Sequence, residues 1–452
     1  MQSINPATEE VIATYPELTE EELDAKIDIA HRAFEAWKLT SFDFRRERML
    51  ELARLFRLNK NELAQISTLE MGKSITQSLA EVEKCALVCE YYAENAEKIL
   101  ATEVVASNAS ESYVRFDPIG VVFAVMPWNF PYWQAMRFIA PAAMAGNVGV
   151  LKHASNVQGC GLAMEKLFLK ADFPEGIFQN LSIGASKVEY VIRDSRVVAV
   201  TLTGSESAGR KVAAQAGENL KKVVLELGGS DPAIILADAD LDLVMKVAPM
   251  ARLQNAGQSC IAAKRFIVHQ DIAEEFISRF KDEFENFLVG DPMNEATQMG
   301  PMVNAAAVEE IERQVAESVA LGAEIVTGGQ RIGEKGFFYA PTILRNVKKG
   351  MPAYSEEFFG PVASVIIVKD EHEALYIAND VCFGLGSSIY TRDTEKAKSM
   401  AEKIDAGQVF INGMVTSDPR LPFGGTKNSG FGRELSHYGI KEFVNIKTVW
   451  VK

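Results

Sequence analysis

The sequence predicts an α/β protein built on two sheets, and three observations predict it. Short apolar runs rich in Val and Ile recur from residue 120 to residue 236, with helical segments between several of them. A second series of such runs starts at residue 263. The residues before 100 carry helical periodicity instead. Strands buried on both faces read as continuous apolar runs, and their alternation with helices marks an open α/β sheet.

The elements follow in order. Residues 21–37 (EELDAKIDIAHRAFEAW) place Leu23, Ile27, Ala30 and Phe34 on one face of a helix. Residues 44–66 and 76–99 read as further helices, and SYVRFD (112–117) alternates like a strand. GVVFAVM (120–126), VGVLK (148–152), VVAVTL (197–202), KVVLEL (222–227) and AIIL (233–236) then read as strands of a nucleotide-binding type of sheet. Ligands of such sheets sit beyond the carboxyl ends of the strands, so the residues just after these runs matter most. AKRFIVHQ (263–270) and a helix at 272–288 open a second sheet. GAEIVTGG (322–329), ASVIIVKD (363–370), GSSIYT (386–391) and GQVFING (407–413) continue it. KEFVNIKTVWVK (441–452) alternates as a last strand, pairing either with a partner subunit or within its own chain.

Composition narrows the function. A 452-residue chain with 48% hydrophobic residues holds enough apolar material for more than one core. The net charge of −14 repels phosphate backbones, so nucleic acid is not an expected partner. No apolar run approaches the roughly 20 residues that span a bilayer, so no membrane partner is expected. MQSINPATEE lacks a basic segment followed by an apolar one, so a cytoplasmic location is expected. The five cysteines (Cys85, Cys89, Cys160, Cys260, Cys382) form neither a disulfide framework nor a zinc motif, and no metal is expected.

Three segments carry candidate chemistry. In LQNAGQSCIAAKRF (253–266), Cys260 follows a glycine and polar residues and precedes a strand. A lone cysteine is most often a small core hydrophobe, but on such a loop it can be a nucleophile. A nucleophile needs a route to thiolate and donors for the oxyanion. None of the five histidines sits in a setting that would supply a hydrolase base. In VVLELGGSDPAII (223–235), Glu226 ends an apolar strand. It is either a general base with a raised pKa or half of an ion pair. In VMPWNFPYWQAMRF (125–138), Asn129 sits between two prolines, as a turn residue or a rigid amide donor.

PWNFP (127–131), GNVGVLKHAS (146–155), TGSESAGR (203–210), LELGGSDP (225–232), NAGQSC (255–260), EEFFGPV (356–362) and PFGGTKNSGFGRE (422–434) resemble, in order and spacing, the motifs of the aldehyde dehydrogenase superfamily. The resemblance covers nearly the whole chain. It implies that Cys260 is the nucleophile, that Asn129 and the Cys260 N–H form the oxyanion hole, and that Glu226 activates the deacylating water. It implies a cofactor site of Trp128, Lys152, Ser155, Gly204, Ser205, Glu357 and Phe359. NAD-preferring relatives often have Glu at the position of Ser155. Serine with Lys152 nearby favours NADP, without excluding NAD.

Within the superfamily the chain most resembles the shorter bacterial succinate-semialdehyde dehydrogenases. That resemblance makes Arg137 the arginine for the substrate carboxylate, Ser417 a second contact and Trp133 an apolar wall. It departs at Gln254, where many relatives have a second arginine. It departs again at Ala262, where some have a second cysteine. Glutarate semialdehyde or a general aliphatic aldehyde remains an alternative substrate, and a non-catalytic protein on this scaffold an alternative of another class. The implied domains are 1–98 with 119–228 for the cofactor, 229–430 for catalysis, and 99–118 with 431–452 for assembly as a homodimer or homotetramer.

Overall fold

A computed structural model describes all residues, 1–452. The first helix, Glu20–Trp37, begins at a capping box. Thr19 accepts from the Glu22 N–H, and the Glu22 carboxylate accepts from the Thr19 N–H. Its buried face is Leu23, Ile27, Ala30, Phe34 and Trp37. The helix expected over 44–66 is two helices, Phe42–Leu58 and Lys60–Met71. Asn59 separates them, and its side-chain amide donates to the Leu55 carbonyl. Local hydrogen bonding of this kind lets Asn end one helix and start the next, which apolar periodicity does not register. The fourth helix, Ile75–Ile99, runs unbroken.

The first sheet is ordered 430–431, 222–226, 197–203, 121–126, 148–153, 178–180. All its pairings are parallel except the first, where Gly430–Phe431 returns to pair antiparallel with Lys222–Glu226. The order reverses between Val121–Met126 and Val197–Thr203, so their carboxyl ends diverge and leave a crevice. The second sheet is ordered 324–327, 342–345, 362–368, 263–269, 231–235, 386–390, 408–411. Asp231–Ile235 reads in sequence with the first sheet but pairs inside the second, between Ala263–His269 and Gly386–Tyr390. An apolar run does not say which sheet will bury it. Thr342–Arg345 and Phe178–Asn180 are short strands with too few residues to show a pattern.

The terminal strand Val444–Val451 pairs along its whole length with Glu111–Pro118 of the same chain. Its other edge is unpaired, and Ile446 and Trp450 are exposed. No helix is long and apolar enough to cross a membrane.

One buried ion pair joins the helical layer to the site. The helix Pro131–Ala145 has no side-chain cap of its own. Glu81, from Ile75–Ile99, supplies one. A single carboxylate oxygen accepts from the Tyr132 and Trp133 N–H groups, both at 2.9 Å. The other oxygen pairs with Lys73, which lies over the Phe130 ring. Both charges are almost fully buried. Glu81→Ala would strand the Lys73 ammonium and two helix N–H groups, and is expected to cost about 3–5 kcal/mol. Chemical denaturation should show a lower midpoint at unchanged slope.

Candidate active site

The loop before Ala263–His269 takes an unusual path. Asn255, Ala256 and Gly257 are consecutive left-handed residues, with φ of 54°, 53° and 73°. For a non-glycine residue that conformation costs roughly 1–3 kcal/mol and persists only when its surroundings hold it. Here they do. The Asn255 N–H donates to the Gln77 side chain at 2.8 Å, and its amide donates to the Asn129 carbonyl at 2.9 Å. A Cβ at Gly257 would lie 2.2 Å from the Gly360 carbonyl oxygen, so only glycine fits there.

Two buried cations hold the loop from inside. The Arg252 guanidinium donates to the Gly257, Phe358 and Gly360 carbonyls. The Lys264 ammonium donates to the carbonyls of Ser259 (2.8 Å) and Cys260 (2.5 Å) and pairs with Glu357 at 3.5 Å. The loop carbonyls are therefore tied inward. The Cys260 N–H has no acceptor within the protein.

Cys260 is half-buried and stands on the wall of two cavities. Burial pushes its thiol up to about 12, against the opposing pull of Lys264 and Arg137. The first cavity, ≈ 310 Å³, lies at the strand-order reversal. Trp128, Asn129, Gly204, Ser205, Glu357 and Phe359 line it, so six of the sequence candidates meet there. Trp128 and Phe359 pack edge to face at 5.9 Å. Ser205 caps the helix Glu206–Glu218 by accepting from the Ala208 N–H. A Cβ on Gly204 would touch only Leu202, at 3.6 Å, so the chain itself leaves this space open beside a helix N-terminus. An N-terminus with room in front of it suits the pyrophosphate of a dinucleotide. Lys152 and Ser155 lie outside this cavity, at and just after the carboxyl end of Val148–His153. Lys152 is half-buried and Ser155 exposed.

Asn129 is buried and fixed on three sides. Its side-chain oxygen accepts from Gln134 at 2.8 Å, and its carbonyl accepts from Asn255. Its side-chain nitrogen donates to the Gln258 carbonyl at 3.1 Å, which leaves one N–H free. Asn129 and Cys260 line the same cavity, each with an uncommitted N–H. Asn129→Ala is expected to lower kcat by about 10²–10³-fold. Initial rates at saturating aldehyde and cofactor would check this.

Glu226 is placed differently from expectation. It ends the strand Lys222–Glu226, but its carboxylate lines neither cavity, and neither oxygen has a hydrogen-bond partner. Burial drives its pKa well above the ordinary carboxylate range. The Glu434 carboxylate adds to this, and Arg137 and Arg433 oppose it. In this pose burial and the neighbouring Glu434 favour the protonated form of Glu226.

The second cavity, ≈ 160 Å³, holds Trp133, Arg137, Gln254, Cys260 and Ser417, and also Lys84. Arg137 is not a free guanidinium. Its Nε pairs with the buried Glu434, one terminal nitrogen reaches the Thr203 hydroxyl at 3.4 Å, and its plane lies over Phe423 at 4.3 Å. Trp133 is more than an apolar wall, because its indole N–H donates to the Ser417 hydroxyl at 3.1 Å. Lys84 escaped the sequence reading, as a lysine on an amphipathic helix looks like a solvated one. Its spacing of three from Glu81 puts both on one helix face, a signal that means something only once Glu81 is known to be buried. Arg420, close in sequence, is exposed and paired with Asp418.

Residues 1–449 match the model of the aldehyde dehydrogenase family. The chain is 51% identical to a protein of Synechocystis named probable succinate-semialdehyde dehydrogenase [NADP(+)], over 99% of both chains. It is 50% identical to succinate-semialdehyde dehydrogenase [NADP(+)] 1 of Mycobacterium tuberculosis, again over 99% of each. Its fold superposes on the crystal structure of succinic semialdehyde dehydrogenase from Streptococcus pyogenes in complex with NADP+. The TM-score is 0.98 at 40% identity, covering 100% of this chain and 99% of that one. With that match over nearly its whole length, and with Cys260 between a cavity at the strand-order reversal and a second, cation-lined one, the chain belongs to the aldehyde dehydrogenase family.

Proposed function

We propose that the protein oxidises succinate semialdehyde to succinate with NADP+, through a thioester on Cys260. The observation that carries this reading is the placement of Cys260 on both cavities at once. One lies at the strand-order reversal beside a helix N-terminus, which suits a dinucleotide, and the other is lined by Lys84, Arg137 and Ser417, groups that suit an anionic substrate. The two relatives above that bear NADP(+)-specific names support it.

The chain's own residues supply these steps. The Cys260 thiol gives its proton to water in the open cavity, and Lys264 and Arg137 reduce, without cancelling, the cost of the buried thiolate. The thiolate adds to the aldehyde carbon, and the new oxyanion is held by the Asn129 amide and the Cys260 N–H. Glu357 and Phe359 would hold NADP+, which would supply the hydride acceptor for the next step. Collapse of the oxyanion leaves a thioester. Glu226 turns out of its buried pose, ionises and takes a proton from the attacking water. The acid then leaves and the thiol is restored. Lys152 and Ser155, at and just after the carboxyl end of Val148–His153, would hold the adenosine ribose. The hydroxyl and ammonium suit a 2′-phosphate, and NAD remains usable because nothing there excludes it.

The domain division read from sequence belongs to the same proposal. The free edge of Val444–Val451, with exposed Ile446 and Trp450, supports self-association into a homodimer or homotetramer. Initial rates with succinate semialdehyde and butanal, each with NADP+ and NAD+, test the assignment. Succinate semialdehyde with NADP+ should give the highest kcat/KM. Equal values for butanal would make the enzyme a general aldehyde dehydrogenase, and a higher value with NAD+ would remove the Ser155 argument.

A further inference from the structure

The second cavity contains two cations, and their charges are committed differently. Arg137 is balanced by Glu434, and the buried Glu226 carboxyl lies close enough to interact with it. Lys84 has no carboxylate within ion-pairing distance. Two carboxylates come near it, and each is bound elsewhere: Glu81 to Lys73 and the helix N–H groups, Asp418 to Arg420. The Lys84 ammonium instead lies over the Trp133 ring, 4.3 Å from its centroid, and donates to the Ser417 hydroxyl at 2.6 Å.

Ser417 shows what the cluster lacks. A hydroxyl has two acceptor sites and one hydrogen to donate. Lys84 and Trp133 fill both acceptor sites of Ser417. Its remaining capacity is as a donor. Lys84 has two further N–H bonds to give. Lys84 and Ser417 thus converge with only donors to spare, beside a cavity that Cys260 also lines. The group that completes such a cluster is an anion with at least two oxygens.

Resting on the function proposed above, we infer that Lys84 is a specificity-determining residue. Its ammonium, with the Ser417 hydroxyl, receives the far carboxylate of the semialdehyde, while Arg137 chiefly holds Glu434. Burial and the nearby Arg137 lower the free ammonium to about 8, with Glu81, Cys85 and Asp418 opposing. A carboxylate arriving there is therefore met by a cation whose charge is otherwise disfavoured.

The test compares wild type, Lys84→Met and Lys84→Arg with succinate semialdehyde and with butanal, at saturating NADP+. The ratio of the two kcat/KM values is read, because it cancels the concentration of folded sites and the titration of Cys260. Lys84→Met should lower the ratio by about 10- to 100-fold, mostly through the KM for succinate semialdehyde. Lys84→Arg should recover most of it. In wild type the ratio should fall as pH rises through about 8, and in Lys84→Met it should be flat. A wild-type ratio retained by Lys84→Met overturns the assignment and leaves the proposed function standing. So does an equal fall in both variants, which would make the role one of packing. A ratio near one in wild type removes both.

Discussion

Replacing Cys260 with serine is expected to abolish turnover, with a fall in kcat of at least about 10⁴-fold, as when a nucleophile is removed from other covalent enzymes. The hydroxyl is smaller than the thiol and fits the same loop, so the fold should survive. What is lost is ionisability. Burial already holds the thiol at about 12, and only two cations oppose it. A hydroxyl starts far higher and has no histidine beside it to take its proton. Mass spectrometry of enzyme quenched during turnover should show an acyl adduct on wild type and none on Cys260→Ser. A serine variant retaining more than roughly 1% of wild-type kcat would sink the thioester route.

Glu226→Gln should separate the two halves of the reaction. The acyl enzyme should still form, giving a burst of reduced cofactor near one per site. Steady turnover should then fall by about 10²–10⁴-fold, because the water loses its base. An unchanged kcat would place the base elsewhere. The same variant has an expected effect on stability. The pKa of Glu226 is raised in the folded protein, so its contribution is fully present below the unfolded carboxylate pKa and is lost as pH rises toward the folded value. The neutral amide avoids that loss. Glu226→Gln should melt higher than wild type at pH 8, and the gap should close as the pH falls toward about 4. A gap independent of pH would mean that Glu226 is already ionised in the fold.

Residues that carry chemistry are legible in sequence when the chemistry also constrains their neighbours in the chain. Cys260 sits after a left-handed turn that only Gly257 completes, and Asn129 sits between Pro127 and Pro131. Such residues announce themselves locally. Those whose role comes from packing do not. Lys84 and Glu81 are one turn apart on a helix that reads as amphipathic, and only their contacts with Ser417 and with the neighbouring helix give them meaning. Lys264 and Arg252 look like ordinary basic residues near a strand and prove to be the buried cations that hold the nucleophile loop. Glu434 ends the PFGGTKNSGFGRE segment, yet its partnership with Arg137 spans the fold. The same limit applies to architecture. The alternation of strands and helices was readable, whereas the assignment of Asp231–Ile235 to the second sheet depended on which neighbours could cover it.

The two cavities meet at Cys260 and share with it only Gln134 among their lining residues. Mutations on one side therefore have few shared partners with mutations on the other, which is the condition for additive free energies. A change of nucleotide preference around Lys152 and Ser155 and a change of aldehyde preference around Lys84 and Ser417 should combine as independent factors. Such a protein can change its fuel and its feedstock by separate small steps, and neither adaptation has to wait for the other.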